Sequence, residues 1–117
     1  MGYVRLADIQ ATSAFPGVSH RLAVGKAAGA TGIQMGELAL EPGASIPVHH
    51  HDVDDAMMVI SGRGRCRLGT EEIVLEPGVT LVAPAGMPHG VRNDGTTILR
   101  IVFAWPTAEP VARYWDS

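Results

Sequence analysis

The sequence predicts an all-β fold, a sandwich or a barrel of short strands, and three observations carry that prediction. Fourteen glycines and eight prolines are spread along all 117 residues instead of pooling in one linker, which cuts the chain into many short segments. The segments between these breakers are of strand length and rich in aliphatic and β-branched residues. No window of helical length keeps apolar residues at helical spacing free of Gly or Pro. A single sheet of this size would leave one apolar face in water, so two layers or a closed barrel are expected.

In chain order, the expected strands are Gln34–Leu40, Met57–Ile60, Arg65–Leu68, Glu72–Leu75, Thr80–Val82 and Thr97–Trp105. Pro42 and Pro77 each precede a glycine, Gly43 and Gly78, and these Pro-Gly pairs signal chain reversals. In the third strand region Arg63, Arg65 and Arg67 alternate with Gly64, Cys66 and Leu68, so the arginines share one face and Cys66 points to the core. That row reads as a solvated or partner-facing surface; the sharper alternative is an anion site for a carboxylate, which guanidinium forks hold well. Asn93-Asp94-Gly95 favours positive φ and predicts a hairpin turn, with no catalytic part for Asn93. The tail, Pro110–Trp115, is the one place where a short helical turn is expected.

Composition narrows the function. The length, with 46 % hydrophobic residues, suits one core and not two. A net charge of −3 gives no broad cationic surface, so neither nucleic acid nor an anionic membrane is an expected partner. Unbroken apolar runs such as Ala56–Ile60 are far too short to span a bilayer. Met1–Gln10 lacks the basic start, apolar stretch and cleavage site of a leader, which makes a cytoplasmic location the default expectation. Cys66 is the only cysteine, so no intrachain disulfide can form.

The chemistry concentrates in His49, His50 and His51, the acidic residues Asp52, Asp54 and Asp55 that follow, and a distant His89. On a strand, His49 and His51 share a face while His50 points away. Divalent transition metals take imidazole and carboxylate ligands, and a reactive site keeps positions open for water or substrate. His49, His51, Asp55 and His89 fit that requirement, whereas Asp52 and Asp54 are expected in solvent. Met57 and Val59 share parity with Asp55 and are expected to line the cavity beside the metal, with Met35 and Met87 as further candidates. His20 is expected to be an ordinary surface or interface histidine. Trp105 and Trp115 are expected to cover the barrel or an interface.

The spacing around these residues is distinctive. The first stretch reads Gly43, five residues, His49, one, His51, three, Asp55, six, Gly62; the second reads Gly78, five, Pro84, one, Gly86, two, His89, three, Asn93. This resembles the two sequence motifs of the cupin superfamily, at residues 43–62 and 78–93. The resemblance implies that residues 1–117 form one cupin domain, a small antiparallel β-barrel or jelly roll, with one divalent metal (Fe, Mn, Zn or Ni) on its inner face. Gly43, Gly62, Gly78 and Gly86 then mark strand ends where the backbone needs glycine. Most cupins of this type carry glutamate where this chain has Asp55, which is about 1.5 Å shorter in reach. Asp55 is therefore expected either as a fourth ligand beside His49, His51 and His89 or, if it falls short, as a general base.

Fold alone does not choose the reaction. The expected function is that of a mononuclear-metal enzyme acting on a small organic substrate, with an Fe(II)-type oxygenase or oxidoreductase as the first choice because three neutral imidazoles suit Fe(II). A non-redox lyase, isomerase or cyclase is the alternative, and a non-catalytic small-ligand-binding cupin the third reading. Exposed strand edges and a high apolar fraction lead to the expectation of a homodimer.

Overall fold

The computed structural model describes residues 2–115. Its strands are β1 (Thr12–Phe15), β2 (Val18–Val24), β3 (Gln34–Leu40), β4 (Ser45–His51), β5 (Asp55–Ser61), β6 (Gly64–Leu68), β7 (Glu71–Leu75), β8 (Thr80–Ala83), β9 (His89–Arg92), β10 (Leu99–Trp105) and β11 (Arg113–Trp115). Two single 3-10 turns, Leu6–Asp8 and Lys26–Ala28, are the only helical elements among the described residues. One sheet runs β1-β2-β3-β10-β5-β8 and the other β11-β4-β9-β6-β7, and every pairing is antiparallel. The two sheets form a jelly-roll sandwich and do not close into a barrel.

Alternation builds the core. In β10 every other residue, Leu99, Ile101, Phe103 and Trp105, is buried; in β5 the same is true of Asp55, Met57 and Val59. With Leu40, Cys66, Leu75 and Val91 these side chains fill the space between the sheets. Gly36 on β3 lies against the Phe103 ring: a Cβ there would stand 2.9 Å from it and 2.2 Å from the Arg21 carbonyl oxygen. Cys66 is fully buried. Burial, then the charges of Asp55 and Glu72, push its thiol up to about 11, so it is a small inert core residue. The outer face of the first sheet exposes Met35, Met58, Ile60 and Val82.

The arginine row takes its solvated reading. Arg63 pairs with Glu76 at 2.8 Å, Arg65 with Asp94 at 2.8 Å, and Arg67 donates to the Gly69 carbonyl at 3.1 Å. Local carboxylates and carbonyls already occupy these guanidinium groups, which removes the reason to read them as an anion site.

Two local expectations need correction. Residues 110–115 form no helical turn; Arg113–Trp115 is β11, added to the edge of β4 in the register Arg113 with His51, Tyr114 with His50 and Trp115 with His49. So short a segment cannot sustain an isolated helix, whereas an open strand edge satisfies its backbone at once. Nor is Asn93 a positive-φ turn residue, since among the described residues only glycines have positive φ. Asn93 is instead 1 % exposed. Its Nδ2 donates to the carbonyls of Leu40 and Thr97 at 2.9 and 2.8 Å, and its Oδ1 accepts from the Gly95 N–H at 2.9 Å. Its backbone exchanges further hydrogen bonds with Gly43 and Ala44. One amide thus ties the end of β3 to the β9–β10 connection. Gly43, Gly62, Gly78 and Gly86 all have positive φ, as expected of the motif glycines.

Replacing Asn93 by Ala would strip three side-chain hydrogen bonds from a buried junction. The expected loss is about 2–4 kcal/mol, read as a lower urea midpoint with an unchanged slope.

Candidate metal centre

The site begins with an irregularity in β4. Opposite β9, Ser45 faces Arg92 and Ile46 faces Val91, but the next partners are His49 and His89, so β4 carries one extra residue at Pro47-Val48. Proline has no N–H to give to a ladder, and a bulge is where a strand accommodates one. The extra residue resets the side-chain parity, so that Ile46 and His49 both face the interior although three positions apart. Gly90 lies across from the bulge, where a Cβ would come within 3.0 Å of the Ile46 oxygen and 3.2 Å of the Val48 Cα. The absence of a side chain there lets the bulged strand approach.

The consequence is convergence. His49, His51, His89 and Asp55 are all buried, and the three histidines can each turn one nitrogen to within 4.8 Å of the others. His49 Nε2 is 3.2 Å from His51 Nε2, and Asp55 Oδ2 is 3.2 Å from both His51 Nε2 and His89 Nε2. Two atoms each about 2.1 Å from one ion stand roughly 3.0–3.4 Å apart at octahedral or tetrahedral angles, which matches these separations. His49 Nδ1 donates to the Pro47 carbonyl at 2.8 Å and His89 Nδ1 to the Met87 carbonyl at 3.0 Å. Both rings therefore present Nε2 lone pairs inward, toward a carboxylate.

Such a set asks for a cation. Burial lowers His49 to about 4; its hydrogen bond to Pro47 opposes the shift, and His89, His51 and Arg113 add to it. His49 is thus a neutral donor near pH 7. Burial alone would raise Asp55, but the neighbouring His51 and His89 rings outweigh it and hold the carboxyl below its usual range. Asp55 Oδ1 and His51 Nδ1 are buried with no hydrogen-bond partner among the described residues. The three imidazoles are able to bind one metal ion, and the donor chemistry fits a divalent transition metal.

These residues floor a cavity of about 290 Å³. Its walls are largely apolar and aromatic, including Leu38, Met57, Phe103, Trp105 and, near the edge strands, Phe15 and Trp115. Trp115 lies 5.1 Å from the His49 ring and meets Phe15 edge-on at 5.7 Å, while Trp105 is 5.6 Å from His51. Four of the sequence candidates, His49, His51, His89 and Asp55, are brought together, and Met57 lines the cavity beside them. Val59 lies instead in the apolar core. Met35 is 41 % exposed on the outward face of β3, because its neighbour Gln34 takes the inward position. Met87 lies outside the cavity lining and contributes its carbonyl to His89. His50 turns away and stacks on Tyr114 at 5.0 Å. Asp52 and Asp54 do not simply face solvent: they accept the N–H groups of Ala112 and Ala85 and brace the surrounding loops.

Sequence reasoning missed the cavity's other wall. His20, Arg113, Thr12, Ser13 and Phe15 line it, beside Trp115, expected together with Trp105 to cover the barrel or an interface. His20 is no ordinary surface residue, since its ring stacks on Phe103 at 5.2 Å. Little in the sequence could have found this wall, because β1 and β11 are edge strands of four and three residues with no alternating pattern.

A jelly-roll sandwich with three buried histidines, able to hold a metal, on two neighbouring strands defines a cupin by fold and site. The family description "Cupin domain" matches residues 36–105, and this chain belongs to that family. It is 32 % identical over 88 residues to the tetracenomycin polyketide synthase protein TcmJ of Streptomyces glaucescens, covering 74 % of this chain and 59 % of that protein. The chain thus spans less than two thirds of that relative's length. Among solved structures it is similar to the polyketide cyclase RemF from Streptomyces resistomycificus, with 26 % identity, a TM-score of 0.84, and coverage of 100 % of this chain and 87 % of that one. A sugar phosphate isomerase of the cupin superfamily from Silicibacter pomeroyi superposes with a TM-score of 0.83 at 22 % identity, over 97 % of this chain and 81 % of that one. At that identity the likeness concerns the fold alone.

His51→Ala is expected to abolish stoichiometric metal binding, measured by elemental analysis after dialysis, while His50→Ala retains it. Equal losses would contradict the opposite orientations of the two rings. Gly90→Val should also weaken metal binding, by at least about tenfold, because a side chain there displaces the bulge that places His49 opposite His89.

Proposed function

We propose that this chain is a metal-dependent cupin enzyme that closes rings in an aromatic polyketide or a chemically similar poly-β-ketone. The observation that carries this reading is the imidazole–carboxylate cluster at the floor of an aromatic-walled cavity. The similarities to TcmJ and to the cyclase RemF support the substrate class. His49, His51 and His89 hold the ion, and Asp55 Oδ2 is the fourth ligand. The ion is one of Zn, Fe, Mn or Ni. When bound, it supplies Lewis acidity toward a carbonyl oxygen of the substrate.

The protein's own groups do the rest. Phe103, Trp105, Phe15 and Trp115 offer ring faces and edges to a flat conjugated chain and exclude water from it. A poly-β-ketone is flexible, so holding it folded with the reacting carbons in contact removes much of the entropic barrier to closure. Ring closure of the aldol type joins an enolised carbon to a carbonyl carbon, and that carbonyl's oxygen leaves as water when the new double bond forms. No oxidant is consumed. Asp55, held below the usual carboxylate range, is a poor proton acceptor, which favours its part as ligand over that of general base.

Oxidative chemistry is the second reading, and the three-imidazole set favours it because such a set suits Fe(II) with O₂ and substrate both bound. The two readings separate in one assay. A synthetic poly-β-ketone incubated with metal-loaded protein should cyclise at the same rate with and without air, and chelation should stop the reaction until metal is restored. Oxygen uptake in step with product would transfer the chain to the oxygenase class. Asp55→Asn should lower metal affinity by about tenfold or more, measured by competition with a chromophoric chelator; unchanged affinity would remove Asp55 from the ligand set.

A further inference from the structure

The cavity has a second polar wall that the metal chemistry does not use. His20, on β2, is paired in register with Thr12 of β1, and both line the cavity together with Ser13. The His20 ring lies nearly parallel to Phe103, at 5.2 Å and 20°. From there Phe103 touches Trp105 at 4.6 Å, and Trp105 touches His51 at 5.6 Å. Three ring-to-ring steps therefore separate His20 from the metal ligands, along a surface suited to an elongated flat molecule.

His20 Nε2 is buried and has no hydrogen-bond partner among the described residues. A buried polar atom at a cavity wall, left without a partner by the protein, is a site for one supplied by a ligand. The other ring nitrogen fixes which partner that is. Thr12 Oγ1 lies 3.4 Å from the His20 carbonyl and 3.5 Å from His20 Nδ1. A hydroxyl that donates to the carbonyl turns a lone pair to Nδ1–H, which leaves Nε2 as an acceptor. Burial, and after it the charge of Arg113, lower the ring's pKa and so favour the neutral form that keeps this lone pair.

We propose that His20 Nε2 is a substrate anchor that accepts a hydrogen bond from a phenolic or enolic hydroxyl at the end of the substrate remote from its metal-binding oxygens. This inference rests on the aromatic polyketide reading above and sharpens it: the preferred substrate carries oxygen at both ends of an apolar, conjugated middle. Thr12 sets the tautomer and Phe103 sets the plane of the ring, so the acceptor is oriented before the substrate arrives.

Two anthraquinones test it. Emodin and chrysophanol share a hydroxyl–ketone edge able to chelate a metal and differ by one hydroxyl on the opposite side of the ring system. Zinc-loaded protein should bind emodin about tenfold more tightly than chrysophanol by fluorescence titration, the yield expected of one hydrogen bond to a buried acceptor. His20→Phe keeps the stack on Phe103 and removes Nε2; it should erase the preference while leaving chrysophanol affinity and zinc stoichiometry unchanged. His20→Gln, which restores a polar side chain, should recover part of it. Should His20→Phe fail to fold, His20→Leu is read in the same way. Equal binding of the two dyes by the unmodified protein, or a preference that survives in His20→Phe, would overturn the anchor and leave the cyclase reading standing. If neither dye binds the zinc-loaded protein, the aromatic substrate class falls and the anchor falls with it.

Discussion

The site depends on one register: His49 lies directly opposite His89 on the neighbouring strand. Two imidazoles forty residues apart in the chain become cross-strand neighbours only because β4 carries an extra residue at Pro47-Val48. Were the ladder regular from Ile46 onward, Val48 would face His89 and every following side chain would turn to the other layer. β4 is also held from its far side, where β11 pairs with His49, His50 and His51 themselves. The ligand strand is thus fixed along both edges, and a three-residue turn away from it β5 begins with Asp55. The metal geometry is a property of strand pairing before it is a property of side chains.

That geometry is costly when taken alone. Three imidazoles and a carboxylate, all buried, place lone pairs and negative charge around one point, and a protein without a cation there would gain from moving them apart. What prevents it is the apolar mass around the site. Phe103, Ile101, Leu99 and Leu40 are almost completely buried, and the sheets that carry them cannot shift without losing that burial. The backbone carbonyls of Pro47 and Met87 add direction by holding the Nδ1 atoms of His49 and His89. Stability made elsewhere thus keeps a ligand set pre-arranged, which is how binding sites commonly depart from what local energetics would choose.

Much of this was legible in the sequence, and the reason differs from part to part. All six expected strands are present as β3, β5, β6, β7, β8 and β10, because each has alternation or an aliphatic run between clear breakers. β1, β2 and β9 have polar or small residues at positions a strand would fill with valine or isoleucine, and β11 exists only through the edge it joins. The four donors could be read because metal ligation demands particular residue types at particular spacings. The cavity wall could not, since packing accepts many residues: Met57 lies where its parity placed it, Val59 of the same parity packs into the core, and the further candidate Met35 faces outward, as Gln34 takes the inward position and donates to the carbonyls of Thr107 and Glu109. Asn93 shows the opposite failing. Its local dipeptide chemistry favours a turn, yet its amide also reaches the Leu40 carbonyl, 53 residues away, a contact that no local pattern displays.

This unevenness has a functional cause. The metal floor is built from the central strands β4, β9 and β5, each paired on both sides, so a change in any of them disturbs two ladders at once. The substrate wall is drawn in part from β1, β2 and β11, at the edges of the two sheets, where a strand has one neighbour or a short partner. Residues such as Thr12, Phe15, Arg113 and Trp115 can change without breaking the core, and each reaches the cavity directly. A scaffold divided in this way can keep one metal centre and exchange the molecules presented to it. Likeness of fold to proteins described as a cyclase and as an isomerase is what such a division allows. On the function proposed above, the discriminating chemistry of this chain would reside where the two sheet edges meet, in the contact between Phe15 and Trp115, and in His20, stacked on Phe103.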